Sequence, residues 1–368
     1  MCKKVLLLAI LVMAFQGQVH AGRTKTALME LPLPGFEVDH TRSDLKRPIR
    51  SGDSLYNGPI IDTHAHLYPP RERDATVADI GKWELQRIID LLKKLEVELI
   101  IFMPTPNDGI RRNQELGVLK RLMIQDLAPD RIKVFCGSNY ITCWMNDAYQ
   151  KGYKEERFRD ILVQLSKDMD SGQYKGVGEL SLYHFDKGYG GQHVLMFPPN
   201  FNPFLRVMDH VAKKGMWVDL HAEPVDPRGK SYEKAVFGGI EVLFRRNPNL
   251  RLIYSHTAMT NPSNTRRMLQ RYPNIMMNIK TEKRHQNWKN LEPVVNTQGE
   301  LYEDWARLFE KMPERFMIGT DSHFGRKGFT HSSYRKKIMQ MRKIIGVLKP
   351  EAASMIASEN AKKLFINP

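Results

Sequence analysis

"IIDTHAHLYPP", Ile60 to Pro70, is an apolar β-branched run that ends in two histidines spaced two apart. On a strand, residues two apart point to the same side, so His64 and His66 can present both imidazoles to one ion while Thr63 and Ala65 face away. Asp62 falls on the histidine side one step deeper, where it could orient a ligand from behind. Pro69 and Pro70 turn the chain out of the strand. Taken alone, the two histidines fit a hydrogen-bonded strand end as well as a metal site, so the partners have to be sought along the chain.

Outward from this stretch a rhythm sets in. Short apolar runs recur as "PIIDTH" (Pro59–His64), "ELIIFMP" (Glu98–Pro104), "IKVFCG" (Ile132–Gly137), "KGVGEL" (Lys175–Leu180), "MWVDLH" (Met216–His221), "RLIYSH" (Arg251–His256), "NIMMNIK" (Asn274–Lys280) and "RFMIGTD" (Arg315–Asp321). Between them lie amphipathic stretches such as Trp83–Val97, Glu155–Asp170, Phe201–Gly215 and Tyr232–Pro248. In the third, Phe204, Val207, Met208 and Val211 share one helical face. Alternating strand and helix signals argue for a parallel sheet, and eight such units predict an α/β fold of the (β/α)8 TIM-barrel type. The runs at 175–182 and 316–320 would also suit an open α/β sheet; the count of eight carries the barrel.

The first 21 of the 368 residues, "MCKKVLLLAILVMAFQGQVHA", have the layout of a signal peptide. Lys3 and Lys4 precede an apolar core shorter than the roughly 20 residues a membrane span requires, and Val19-His20-Ala21 offers a cleavage site. The expectation is an exported protein, periplasmic or secreted, with an N-terminal arm at 22–57 and a catalytic barrel at 58–368. Cys136 and Cys143 remain after cleavage; an oxidising compartment would permit one bridge, and two unpaired thiols are the other reading. The formal charge of +15 favours anionic partners and says nothing of the fold.

The metal-capable side chains fall at the ends of the runs. His64 and His66 close the first, Glu179 the fourth, His221 the fifth, His256 the sixth and Asp321 the eighth. In a barrel those ends meet at one mouth. Imidazole with carboxylate suits a divalent ion, zinc first, with manganese or iron as alternatives. Separately, Glu179 could pair with a lysine and Asp321 could cap the next segment. Their common position at strand ends is what the separate explanations leave unaccounted for.

The order Asp62-x-His64-x-His66, then "GVGE" with Glu179, then His221, His256 and Asp321 resembles the amidohydrolase superfamily. The branch it resembles is the amidohydrolase-related (amidohydrolase-2) hydrolases and decarboxylases, whose C-terminal helix is similar to "IASENAKKLF", Ile356 to Phe365. The resemblance implies that His64, His66 and His221 are metal ligands. It also implies that Asp321 is a ligand that accepts the nucleophile's proton, and that His256 either binds a second ion or holds the substrate's polarised oxygen. Glu179 resembles the strand-4 glutamate that bridges two metals in TatD-type nucleases. Many binuclear relatives use a carboxylated lysine there instead; Lys175, roughly 13 Å below Glu179 on strand geometry, is discounted. One or two ions are left open.

The expected activity is hydrolysis by metal-activated water of an ester, amide, lactone or related bond, with Asp321 and His256 as catalytic residues. Lys280 and Lys283 follow the seventh run and Arg326 the eighth, where barrel enzymes often hold phosphate, so they are the candidate contacts for a small anionic substrate. Arg335, Lys336, Lys337, Arg342 and Lys343 are read as the exposed face of a helix. A TatD-like phosphodiesterase or nuclease is the alternative enzyme, and a non-catalytic metal-binding barrel the alternative of another class. No tract interleaves aromatic and basic residues, so no stable nucleic-acid partner is expected, nor a membrane partner. His184, His193 and His210 are read as ordinary polar residues and His323 as a possible substrate contact; Trp144 and Trp288 either line the pocket or pack on their own domain. Oligomeric state is not set by the sequence.

Overall fold

Each of the eight apolar runs is a strand, and each is followed by helix. In the computed structural model, which describes residues 38–39, 47–49, 54–72, 74–106, 113–185, 194–280 and 293–367, the strands are β1 (Ile60–Leu67), β2 (Val97–Met103), β3 (Ile132–Gly137), β4 (Tyr174–Ser181), β5 (Trp217–His221), β6 (Arg251–Tyr254), β7 (Ile275–Ile279) and β8 (Phe316–Ile318). A short continuation, β9 (Ser322–Phe324), shares the eighth position with β8. Neighbouring strands pair in parallel from β1 round to β8, and the pairing of Asp62 with Ile318 closes the ring. The architecture is therefore a closed (β/α)8 barrel rather than an open sheet. The stretch 1–21, read from the sequence as a signal peptide, and most of the expected arm at 22–57 lie outside the described residues. No described helix is long and apolar enough to cross a membrane.

The outer layer is made by helices α1 (Lys82–Lys94), α2 (Gln114–Leu127), α3 (Ser138–Lys151), α4 (Glu155–Asp170), α5 (Asn202–Lys213), α6 (Glu233–Arg246), α7 (Pro262–Arg271), α8 (Glu303–Lys311) and α9 (His331–Gly346). Helical periodicity decides which residues they bury: Leu85, Ile88, Ile89 and Leu92 of α1, and Phe204, Val207, Met208 and Val211 of α5, face the strands. The described parts of the arm are tied to the barrel's outside, where the Ile49 N–H donates to Leu301 O and the Tyr56 N–H to Arg342 O.

The lower half of the barrel interior is a separate apolar cluster of Ile61, Leu99, Ile101, Met103, Phe135, Trp217, Ile253, Met276 and Met317. The C-terminal segment expected to be helical closes it from below. It runs through α10 (Pro350–Ser354) and Met355–Glu359 into α11 (Asn360–Phe365). Asn360 donates to Pro313 O and Phe316 O, both at 2.8 Å, and Phe365 packs edge-on against Phe135. Replacing Phe365 by Ala leaves an apolar void under the barrel, so the unfolding free energy should drop by about 3 kcal/mol. Urea denaturation would show this; an unchanged midpoint would mean that the plug is ornamental.

The strand interior is where the sequence-based alternation fails. Between Asp62 and Ala65, β1 spends three residues against two on β2, so it carries one extra residue. A bulge of this kind inverts the facing of everything beyond it. Ile61 lies inside with Leu99, His66 lies inside beside Met103, and Asp62 faces the helix layer, where its carboxylate accepts from Tyr334 of α9. Asp62 thus does not share the histidine side. Its oxygens take the Thr320 N–H and hydroxyl and the His64 N–H, and no imidazole of the pair.

Candidate metal centre

Six side chains predicted from separate strand ends meet in one buried pocket at the C-terminal mouth. His64 and His66 come from β1, Glu179 from β4, His221 from the last position of β5, His256 from the turn after β6 and Asp321 from the turn between β8 and β9. Glu179 stands in the middle. Its Oε2 lies 3.4 Å from His66 Nε2 and 3.8 Å from His64 Nε2, while its Oε1 lies 2.9 Å from His221 Nδ1 and 3.9 Å from His256 Nε2. One carboxylate therefore faces two histidine pairs, one with each oxygen. Asp321 Oδ1 completes the first side, 3.1 Å from His66 Nε2 and 3.9 Å from His64 Nε2.

Local backbone choices aim these groups. Gly319, just before Asp321, has no Cβ because one would lie 2.7 Å from Asn278 Cβ and 2.9 Å from His64 Cβ. Asp321 takes a left-handed φ of 48°, and its N–H donates to His64 O. His256 opens a left-handed turn that continues through Thr257, Ala258 and Met259. Such residues cost roughly 1–2 kcal/mol each, strain that tends to persist where a site needs it. The His256 N–H is held by Asn278 Oδ1 at 2.8 Å.

Behind the histidines stand acceptors that fix their tautomers. His64 Nδ1 lies 3.1 Å from Asp219 Oδ2, and Ser255 donates to the other Asp219 oxygen. His66 Nδ1 lies 3.2 Å from Met103 O. With the imidazole neutral, each arrangement leaves Nε2 as the lone-pair face toward the pocket. His64 Nε2 is fully buried and has no hydrogen-bond partner among the described residues. An orphaned imidazole nitrogen between two carboxylates is costly in a closed polar pocket and is satisfied by a cation, so the donor set fits a divalent ion. His64 and His66 with one Glu179 oxygen would hold one ion, and His221 and His256 with the other Glu179 oxygen a second, while Asp321 groups with His64 and His256 or with His66 and His323.

The electrostatics agree with the donor chemistry. Burial alone would push His64 and His221 down, yet Asp219 carries His64 up to about 9, and Glu179 with Glu223 carries His221 up to about 9. Burial would push Glu179 up, but the His221 hydrogen bond and the His64 charge hold it well below the usual range. Asp321 is held low in the same way, by Lys280 and then His323. Burial followed by the Lys280 charge holds His256 well below the ordinary histidine value. Without ions, positive histidines thus balance the carboxylates; an ion must displace their protons.

The sign of the pH dependence follows. His64 and His221 have raised values, so their contribution to stability is complete below about 6.5 and is lost as pH climbs through about 9. The metal-free protein should lose on the order of 5 °C of melting temperature over that window, while stabilisation by added zinc or manganese grows over it. Thermal melts at several pH values, with and without metal, check both slopes; parallel slopes would exclude those histidines as ligands.

Of the residues expected to touch substrate, Lys280 lies at the site, with Nζ 2.6 Å from Asp321 Oδ2. Arg326 is exposed on the loop after β9, and Lys283 lies outside the described residues. His323 sits at the rim, stacked on His66 and joined to Asp321 at 3.2 Å and to the Tyr68 hydroxyl at 3.0 Å. His184 is not in a polar loop: it lies in a two-stranded pairing of Tyr183–His184 with Leu195–Met196, its ring 5.1 Å from that of His221. His210 lies in α5 and meets Ser166, and His193 falls outside the described residues. Trp144 lies in α3 and stacks on Phe158, so it packs on its own domain; Trp288 lies outside the described residues. Lys175 is exposed at the start of β4, as its discounting required. Cys136 and Cys143 are both free thiols.

Asp219 and Glu223 were missed by the sequence reading, although "DLHAE" carried their signal. Asp219, His221 and Glu223 alternate as Asp62, His64 and His66 do, and Glu223 Oε1 lies 3.0 Å from His221 Nε2.

No protein-family model matches the sequence, and no curated protein matches it. Solved structures do. An uncharacterised TIM-barrel protein from Bordetella bronchiseptica matches with a TM-score of 0.50 at 13% identity, over 84% of this chain and 98% of that one. IDCase from Metarhizium anisopliae matches with a TM-score of 0.50 at 13% identity, over 84% and 97%. The fold is the TIM barrel. A 5-carboxyvanillate decarboxylase from Sphingomonas paucimobilis has a TM-score of 0.48 at 11% identity, over 84% of this chain and 99% of that one.

Proposed function

We propose that this barrel is a metal-dependent hydrolase of the amidohydrolase type, in which Glu179 and the histidines on either side of it would hold two divalent ions, zinc first. The observation that carries the reading is the split of Glu179, one oxygen toward His64 and His66 and the other toward His221 and His256. The chemistry such ions would supply, once held by these residues, is polarisation of the scissile group and a water acidic enough to attack near neutral pH.

The chain's own groups do the remaining work. Asp321 accepts the proton from the attacking water and passes it to the leaving group. Lys280 grips Asp321 Oδ2 and leaves Oδ1 toward His66 and His323, so one carboxylate oxygen is held and the other faces the reacting region. The Lys280 ammonium, buried beside the pocket, supports a substrate with a carboxylate or phosphate near the scissile bond. His323 and Tyr68 stand at the rim as further polar contacts.

The same Glu179 geometry favours phosphodiester cleavage as the second reading, because paired ions suit both the attacking and the leaving oxygen of a phosphoryl group. Turnover of anionic and neutral esters, lactones and amides should be compared with that of bis-p-nitrophenyl phosphate, using zinc- and manganese-loaded protein. Preference for carboxylate-bearing carbonyl substrates is expected. Action on the phosphodiester alone would install the second reading, and a best rate on neutral substrates would remove the anionic assignment.

A further inference from the structure

The turn that carries Asp321 is gripped from outside the pocket. Asp62 accepts the Thr320 N–H at 2.9 Å and its hydroxyl at 2.6 Å, and His64 O accepts the Asp321 N–H at 2.9 Å. The two carbonyls of the turn are taken by a single group. Lys337 of α9 reaches in from the helix layer, and its Nζ donates to Thr320 O and to Asp321 O, both at 2.7 Å. Tyr334, one turn earlier on the same helix, donates to Asp62. The expected exposed basic face of α9 therefore holds for Arg335, Lys336 and Lys343 only. Lys337 is half-buried, and Arg342 is buried and donates to Tyr56 O, Gly58 O and Leu95 O.

We propose that Lys337 is a positioning residue for the metal centre: its ammonium clamps the Thr320 and Asp321 carbonyls and so holds the Asp321 carboxylate where an ion needs it. The inference rests on the reading of Asp321 as a ligand. The physical reason is the left-handed φ of 48° at Asp321, a conformation a non-glycine residue leaves unless its surroundings over-determine it. A cation shared between two adjacent carbonyls favours the one backbone arrangement in which both point to the helix layer. With those carbonyls pinned, Oδ1 stays beside His66 and Oδ2 beside Lys280.

The test uses the full chain as wild type, Lys337→Met, Lys337→Gln and Lys337→Arg, each checked for folding by circular dichroism and assayed well below its melting temperature. Crystal structures are taken without metal, and manganese affinity and the visible spectrum of the cobalt-loaded form are measured. Lys337→Met should let Asp321 leave the left-handed region, weaken manganese binding about 10- to 100-fold and alter the cobalt bands, and Lys337→Arg should restore most of both. A loss of melting temperature with manganese affinity, cobalt spectrum and Asp321 backbone unchanged would overturn the proposal and leave Lys337 a packing residue. Should Lys337→Met fail to fold, Lys337→Gln decides by the same criteria, with a smaller expected loss. A wild type that takes up no manganese or cobalt would overturn the metal reading itself; the Asp321 backbone in the metal-free crystals then decides the clamp alone.

Discussion

Asp321→Asn should lower turnover about 10³-fold while leaving the bound ions largely in place. The amide keeps an oxygen for the His66 side of the pocket but cannot take a proton from the attacking water. Its neighbours sharpen the expectation. Lys280 Nζ sits 2.6 Å from Asp321 Oδ2, and His323 Nε2 sits 3.2 Å from Oδ1, so the substitution leaves a buried ammonium facing a neutral group. That should cost stability as well as rate, and a double variant, Asp321→Asn with Lys280→Met, should regain stability without regaining turnover. Activity assays with parallel metal analysis check both halves. A metal-loaded Asp321→Asn protein with near-normal turnover would remove Asp321 as the proton acceptor.

Glu179→Gln is the second large effect. Each oxygen of Glu179 faces a different histidine pair, so an amide satisfies one side with its carbonyl and turns an N–H₂ donor toward the other. The variant should retain at most one ion, and turnover should drop at least about 100-fold, the scale on which even a supporting partner of a metal ligand is felt. His221 changes too. It loses the charged partner at 2.9 Å and keeps Glu223, so its value, now about 9, should move down. A variant that binds two ions and turns over normally would show that Glu179 bridges nothing.

Much of this was legible in the residues. The eight strands could be read because most barrel staves are apolar on both faces through their lower half, as Ile61 inside and Ile60 outside illustrate. The six candidate ligands could be read because each interrupts such a run at its C-terminal end. What the sequence hid follows from geometry that alternation cannot carry. The extra residue between Asp62 and Ala65 sends Asp62 to the helix layer, and a period-2 reading has no means of placing a bulge. Lys337 looked like surface charge because its neighbours Arg335 and Lys336 are, and only the approach of α9 to the β8 turn shows where its long side chain ends. His184 looked like loop because a two-residue strand is too short to leave a pattern.

The most direct measurement is the ion count of the wild-type chain, stripped with a chelator and then titrated with zinc or manganese, followed by anomalous scattering from a crystal. About two ions per chain are expected, one on the His64 and His66 side of Glu179 and one on the His221 and His256 side. Full reloading that leaves the pocket without any ion would contradict a metal centre here.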